Sequence, residues 1–189
     1  MSADAKPLLT EEQYLKIERK AEIKSEFLNG EMFAMSGAQY AHNALVWNLI
    51  ALLAQRPKTP CRGFPSDMSV HIPGTGLYTY PDVVVACGEL KFRDKHVDTL
   101  LNPTLVTEVL SRSTEAYDRG RKFEHYRTIP SLKEYLLIAS DRVRVDLHTR
   151  QPDDRWLQTS AGSVDDAISL TTVSSEIPLQ ELYRMVEFE

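Results

Sequence analysis

The stretch YTYPDVVVACGE, Tyr78 to Glu89, places one carboxylate, Asp82, at the entrance of an apolar run from Val83 to Ala86. A short apolar run opened by a Pro-Asp pair reads as a buried strand. A carboxylate at its mouth loses solvation unless a partner compensates it. A second stretch, TLVTEVLS from Thr104 to Ser111, repeats the pattern, with Glu108 near its far end. Paired antiparallel with Asp82 opposite Glu108, the two runs also set Val84 opposite Val106 and Ala86 opposite Thr104. These pairs share one sheet face, with directly opposed Cβ atoms about 5 Å apart. Carboxylates that close raise a pKa unless a cation stands between them. A hard divalent ion such as Mg²⁺ takes oxygen ligands and few protein carboxylates. The alternative is structural: Asp82 caps the strand entrance and Glu108 pairs with a core arginine.

The flanking elements define the setting. TEEQ, Thr10 to Gln13, is a capping-box pattern that opens a helix from Glu11 to about Lys20. Asn29-Gly30 joins a hairpin with strands at Lys24 to Leu28 and Glu31 to Met35. Leu45, Leu49, Leu52 and Leu53, with Val46 beside them, give one apolar face to a helix from Ala38 to Gln55, ended by Pro57 and Pro60. A strand follows near Met68 to Ile72. TEAYDRGRKFEHYRTIP, Thr114 to Pro130, reads as a helix that ends before its proline. KEYLLIAS, from Lys133, and RVRVDLHTR, from Arg142, read as strands with a tight turn near Asp141, and RWLQTSAG, from Arg155, as a further one. A short helix closes the chain, with Pro178 at its first position. The stretch from Gln151 to Ser169 either extends the sheet or builds a subunit interface. This order of elements predicts an α+β (mixed α/β) domain with a central sheet flanked by helices.

At 189 residues, with 42% hydrophobic and 26% charged, the chain is expected to form a single domain, with residues 1–9 as a flexible leader. No apolar window reaches the length of a membrane span, and the N-terminus lacks a secretory pattern. Cys61 and Cys87 have no metal-site spacing; a disulfide between them is possible but not needed, so a reducing cytoplasm is the expected setting. The net charge of −5 argues against non-specific coating of nucleic acid. From Arg112 to Lys133, however, six basic residues face three acidic ones. A solvated helix face and a local phosphate contact both account for that excess.

PDVVV (Pro81 to Val85), TEVLS (Thr107 to Ser111), DRGRKFEHY (Asp118 to Tyr126) and SLKEYLLI (Ser131 to Ile138), in this order and spacing, resemble the Uma-type family. These are largely uncharacterised bacterial proteins in the PD-(D/E)XK, restriction-endonuclease-like superfamily. EFLNGEMFAMSGAQYAHN, Glu26 to Asn43, resembles the family's opening. The resemblance implies that Asp82 and Glu108 are catalytic and bind metal, Mg²⁺ or Mn²⁺. It makes Glu31 a third ligand, with Glu26 its rival, and His42 a proton carrier or supporting group. The superfamily lysine belongs two residues after the acid, where this chain has Leu110. The resemblance moves it to the following helix, at Lys122; an Asp118–Lys122 surface ion pair and the rival cations Arg119 and Arg121 stay open. It implies phosphodiester hydrolysis of DNA, with Arg119, Arg121 and Arg127 holding phosphates and a homodimer as a frequent arrangement of this fold. A catalytically silent nucleic-acid- or protein-binding module and a hydrolase of small phosphoesters are the competing readings.

Overall fold

The computed structural model of the chain describes residues 7–55 and 60–188. Residues 1–6 of the expected leader and Pro57 lie outside them. In chain order the elements are α1 (Glu11–Glu18), β1 (Ser25–Leu28), β2 (Glu31–Ala34), α2 (Tyr40–Ala54), β3 (Cys61–Pro65), β4 (Ser69–Ile72), β5 (Leu77–Thr79), β6 (Val83–Cys87), β7 (Thr99–Leu100) and β8 (Leu105–Leu110). A helical crossover follows: α3 (Glu115–Tyr117), a π-helical turn (Asp118–Lys122) and α4 (Phe123–Tyr126). Then come β9 (Glu134–Ala139), β10 (Val145–Arg150), β11 (Trp156–Ala161), β12 (Ala167–Leu170), β13 (Ser175–Pro178) and α5 (Leu179–Leu182).

The main sheet has the order β11-β10-β9-β8-β6-β3. Val84 pairs with Val106 and Val83 with Thr107, antiparallel, which continues to Asp82 beside Glu108. β8 and β9 are parallel, from Leu105↔Glu134 to Leu110↔Ala139. Parallel neighbours need a crossover connection, and here it is the helical segment carrying Lys122. That topology lays the helix over one sheet face.

The two faces bury different sets. Val83, Val85, Leu105, Val109, Leu136 and Ile138 pack under Leu45 and Leu49 of α2 and the C-terminal residues Leu179 and Leu182. Val84, Ala86, Val106, Leu110, Tyr135 and Leu137 pack against Phe123 and Tyr126 and against Val70, Ile72 and Leu77 of the second sheet. That sheet has the order β2-β1-β5-β4-β7. The alternation of a pleated strand thus places Glu108, between Val106 and Leu110, on the face covered by the crossover helix and the second sheet.

Several expectations change. The strand expected near Met68 to Ile72 is β4, and an unexpected strand, β3, precedes it in the other sheet. Pro178 ends β13 and caps α5 instead of lying inside it. At the end of the expected leader, Leu9 N–H donates to Gly30 O at 2.9 Å, and Leu9 packs beside the Tyr14, Phe27 and Tyr78 core. Asn29 and Gly30 have φ of 51° and 87°, the primed turn that the Asn-Gly pair favours. A Cβ at Gly30 would sit 2.7 Å from Leu8 Cβ, so this docking needs the glycine. Cys61 and Cys87 stand opposite each other and form a disulfide. This corrects the reading of the bond as unneeded: once β3 pairs with β6, the register itself brings the two side chains together. Trp156–Ala161 does extend the main sheet, as its edge. Among the described residues no helix is long and apolar enough to cross a membrane.

Candidate active site

Asp82, Glu108 and Lys122 line one cavity of about 900 Å³, together with Glu26, His42 and Asp118. Lys122 is the hub. Its Nζ lies 3.0 Å from Glu108 Oε1, 3.1 Å from Glu26 Oε1 and 3.5 Å from Asp118 Oδ1. The side chains of Lys122, Glu108 and Asp118 are all buried. Asp118, Lys122 and Tyr126 recur at four-residue spacing, and the wide π turn carries the first two inward. Such turns in helices concentrate at functional sites. Tyr126 OH donates to Glu108 Oε1 at 2.9 Å, fixing that carboxylate from a second side.

Burial pushes the Glu108 carboxyl well above its ordinary value; Lys122 opposes the shift, while Asp118 and Asp82 add to it. Burial likewise raises Asp118. For Lys122, burial acts to lower the pKa, but Glu108, Glu26 and Asp118 together outweigh it and hold the ammonium charged. Burial pushes the Tyr117 phenol, beside Glu26, up to about 12.

Asp82 is held through a single oxygen. Val109 N–H donates to Oδ2 at 2.7 Å, and His42 Nε2 lies 3.1 Å from the same atom. A carboxylate only accepts, so Nε2 carries the proton. α2 covers the opposite sheet face, yet its first turn reaches the end of β6, which is how His42 arrives there.

The two rival glutamates separate. Glu26, on β1, meets Lys122 and accepts from Thr79 Oγ1. Glu31 is exposed at the hairpin turn and does not line the cavity. The arginines also differ from a free basic face. Arg119 bonds Glu115 at 2.8 Å and the buried Asp146 at 2.7 Å. Burial acts to raise Asp146, but Ser160, Arg144 and Arg119 outweigh it and hold it at about 2. Arg127 pairs with Glu124 at 3.2 Å. Arg121 is exposed. Asp118, Tyr126 and Tyr117 were not singled out as site residues from sequence; the i, i+4, i+8 stripe through Lys122 was the available signal for the first two.

Among the described residues no three carboxylates or imidazoles form a ready metal cage. The donor chemistry instead fits a hydrated hard cation held by two carboxylates, Asp82 and Glu108, in the way Mg²⁺ keeps most of its waters. Among the described residues, seven carboxylates against three Lys or Arg side chains line the cavity, a balance that favours a divalent ion and repels a bare phosphate.

Comparison with known proteins gives a consistent picture. The model of the Uma2 family, described as "Putative restriction endonuclease", matches residues 11–180. The uncharacterized protein sll1609 of Synechocystis sp. (strain PCC 6803) is 42% identical over 153 residues, covering 80% of this chain and 86% of its own length. A second from the same organism, slr1290, is 35% identical over 184 residues, covering 96% and 95%. A crystal structure described as "a putative nuclease belonging to DUF820 from Anabaena variabilis ATCC 29413" superposes with a TM-score of 0.76 at 16% identity, over 93% of this chain and 98% of that chain. The mixed sheet with its crossover helix is the restriction-endonuclease-like fold shared with that structure.

Proposed function

The chain belongs to the Uma2 family, and from that premise we propose that it is a Mg²⁺- or Mn²⁺-dependent nuclease that hydrolyses phosphodiester bonds of DNA. The observation that carries the reading is the Lys122 ammonium, 3.0 Å from Glu108 on the sheet face that Asp82 shares. A lysine and two acids at one strand junction are what the chemistry of phosphodiester cleavage requires: ligands for a cation and a positive charge near the phosphate. The lysine comes from the crossover helix, since Leu110 occupies the strand position.

Asp82 and Glu108 would hold the ion. When bound, the ion supplies Lewis acidity, activating a water and neutralising charge on the phosphate. Lys122 stays protonated and stabilises negative charge that develops on the phosphate oxygens. Tyr126 and Lys122 fix Glu108, and His42 and the Val109 N–H fix Asp82 through Oδ2. Glu26 and Asp118 hold Lys122 in place. Glu31 takes no part.

Isothermal titration of Mn²⁺ into the folded protein tests this reading, with Asp82→Asn as control. The expected result is saturable binding that the substitution abolishes. Absence of binding to the wild type at millimolar metal would favour a catalytically silent binding module on the same fold.

A further inference from the structure

The second sheet sets one uncharged hydroxyl among the charges around Lys122. β1 and β5 are antiparallel neighbours with Phe27 opposite Tyr78, so the adjoining pair is Glu26 and Thr79. Opposed residues share a sheet face. Thr79 is fully buried, and its hydroxyl donates to Glu26 Oε1, the same oxygen that lies 3.1 Å from Lys122 Nζ. That hydroxyl also lies against the Tyr126 phenol, which donates to Glu108 Oε1 at 2.9 Å. Glu108 Oε1 in turn lies 3.0 Å from Lys122 Nζ. Thr79, Glu26, Lys122, Glu108 and Tyr126 thus close a ring drawn from β5, β1, the π turn, β8 and α4.

Within this ring the Lys122 ammonium has acids on three sides, and Coulomb attraction alone does not choose among them. The choice depends on where Glu26 points. Its second oxygen has only the Tyr117 hydroxyl, at 3.5 Å, and its side chain lines the open cavity. Thr79 supplies the direction. A β-branched side chain has few χ1 rotamers, and the sheet backbone fixes its Cβ, so the hydroxyl is a rigid donor. We propose that Thr79 is a positioning residue of the nuclease site: through Glu26 it fixes where the Lys122 ammonium stands relative to Glu108. This deepens the nuclease reading and rests on it for the effect on cleavage; the placement of the ammonium is measurable without cleavage.

The test uses the full chain labelled with ¹⁵N-lysine. The buried Lys122 ammonium should give a slowly exchanging Nζ resonance, assigned by its loss in Lys122→Arg. Thr79→Val keeps the shape of the side chain and removes the donor. It should shift that resonance and speed its exchange with water, and Thr79→Ser should restore the wild-type signal. In the Mg²⁺-dependent cleavage assay Thr79→Val should lower kcat by about tenfold with KM unchanged, and Thr79→Ser should recover the rate. If Thr79→Val does not fold, Thr79→Ala against Thr79→Ser carries the same comparison. A wild-type Lys122 signal in the folded variant overturns the proposal. So does a loss that Thr79→Ser fails to restore, or a wild-type ammonium that exchanges as fast as surface lysines. The two readings fail separately. A Lys122 signal that depends on Thr79 in a chain that cleaves nothing sinks the nuclease reading alone; metal-dependent cleavage with kcat unchanged in Thr79→Val sinks the positioning proposal alone.

Discussion

Lys122 Nζ lies 3.0 Å from Glu108 Oε1, although the two residues reach that point from different elements, one from the π turn of the crossover and one from β8. The parallel pairing of β8 with β9 is what brings them together, because the chain must cross over the sheet between these strands. The ammonium is shared among Glu108, Glu26 and Asp118, so its removal leaves several buried acids without a counter-charge.

Lys122→Met is therefore expected to destabilise the fold by about 3–5 kcal/mol, the cost of breaking a buried ion pair from one side. Millimolar Mg²⁺ should restore part of the loss, since a cation near Glu108 relieves the same repulsion. Thermal unfolding with and without Mg²⁺ measures both. An unchanged melting temperature in the variant would contradict the arrangement.

Glu26→Gln and Glu31→Gln form a matched pair. Glu26 touches Lys122; Glu31 is exposed at the turn. The first should lower metal-dependent activity by about 10–100-fold, as changes to groups that support a metal site do. The second should leave activity at the wild-type level. Equal losses would return Glu31 to the site.

Metal affinity should rise with pH above the range of an ordinary carboxylate. Burial raises Glu108, with Asp118 and Asp82 adding to the shift. A proton therefore competes with the cation at pH values where a surface glutamate is already ionised. The raised pKa also means that Glu108 favours the metal-free fold below that value and that this contribution fades as pH rises through it. Mn²⁺ titrations at several pH values test this. Affinity flat from mildly acidic to neutral pH would contradict it.

Asp146 makes the opposite contribution. Its pKa is depressed from 3.8 to about 2, because Ser160, Arg144 and Arg119 outweigh the burial that acts to raise it. Stability from this group is present above its unfolded value and is lost as pH falls through the folded one. Its size is roughly 2 kcal/mol, from 1.36 kcal/mol per pKa unit. Urea unfolding between about pH 4 and pH 2 should show the loss, and Asp146→Asn should flatten that limb.

The Cys61–Cys87 bond closes a loop across 26 residues and ties the edge strand β3 to β6. A loop of that length is worth about 3 kcal/mol through the entropy of the unfolded chain. Urea unfolding in dithiothreitol should show a loss of that order, matched by the Cys61→Ser, Cys87→Ser double variant. No change on reduction would contradict the bond's role.

The site was legible from sequence where one strand pair determines it. Placing Asp82 opposite Glu108 implies Val84 opposite Val106, and that is the register the two strands adopt. Lys122 was legible only through the family resemblance, because nothing local says that a helix after β8 folds back over Glu108. Choosing Glu26 over Glu31 needs the packing of the second sheet against the first, which period-two alternation within a hairpin does not encode. The disulfide depends on β3 pairing with β6, and the β3 sequence CRGFP, with its Gly and Pro, carries little strand signal. Asp118 read as the partner in a surface ion pair, although it is buried in the site on the same i, i+4, i+8 stripe as Lys122 and Tyr126.

The most direct test of the central claim is Mg²⁺-dependent hydrolysis of end-labelled single- and double-stranded DNA by the wild type and by Lys122→Gln. The variant should be shown to be folded and to bind Mn²⁺. The account predicts cleavage by the wild type that chelation abolishes, and a loss of about 100-fold or more in the variant, the scale of removing one preorganised charge-stabilising donor. Cleavage that survives either chelation or the loss of Lys122 would contradict it.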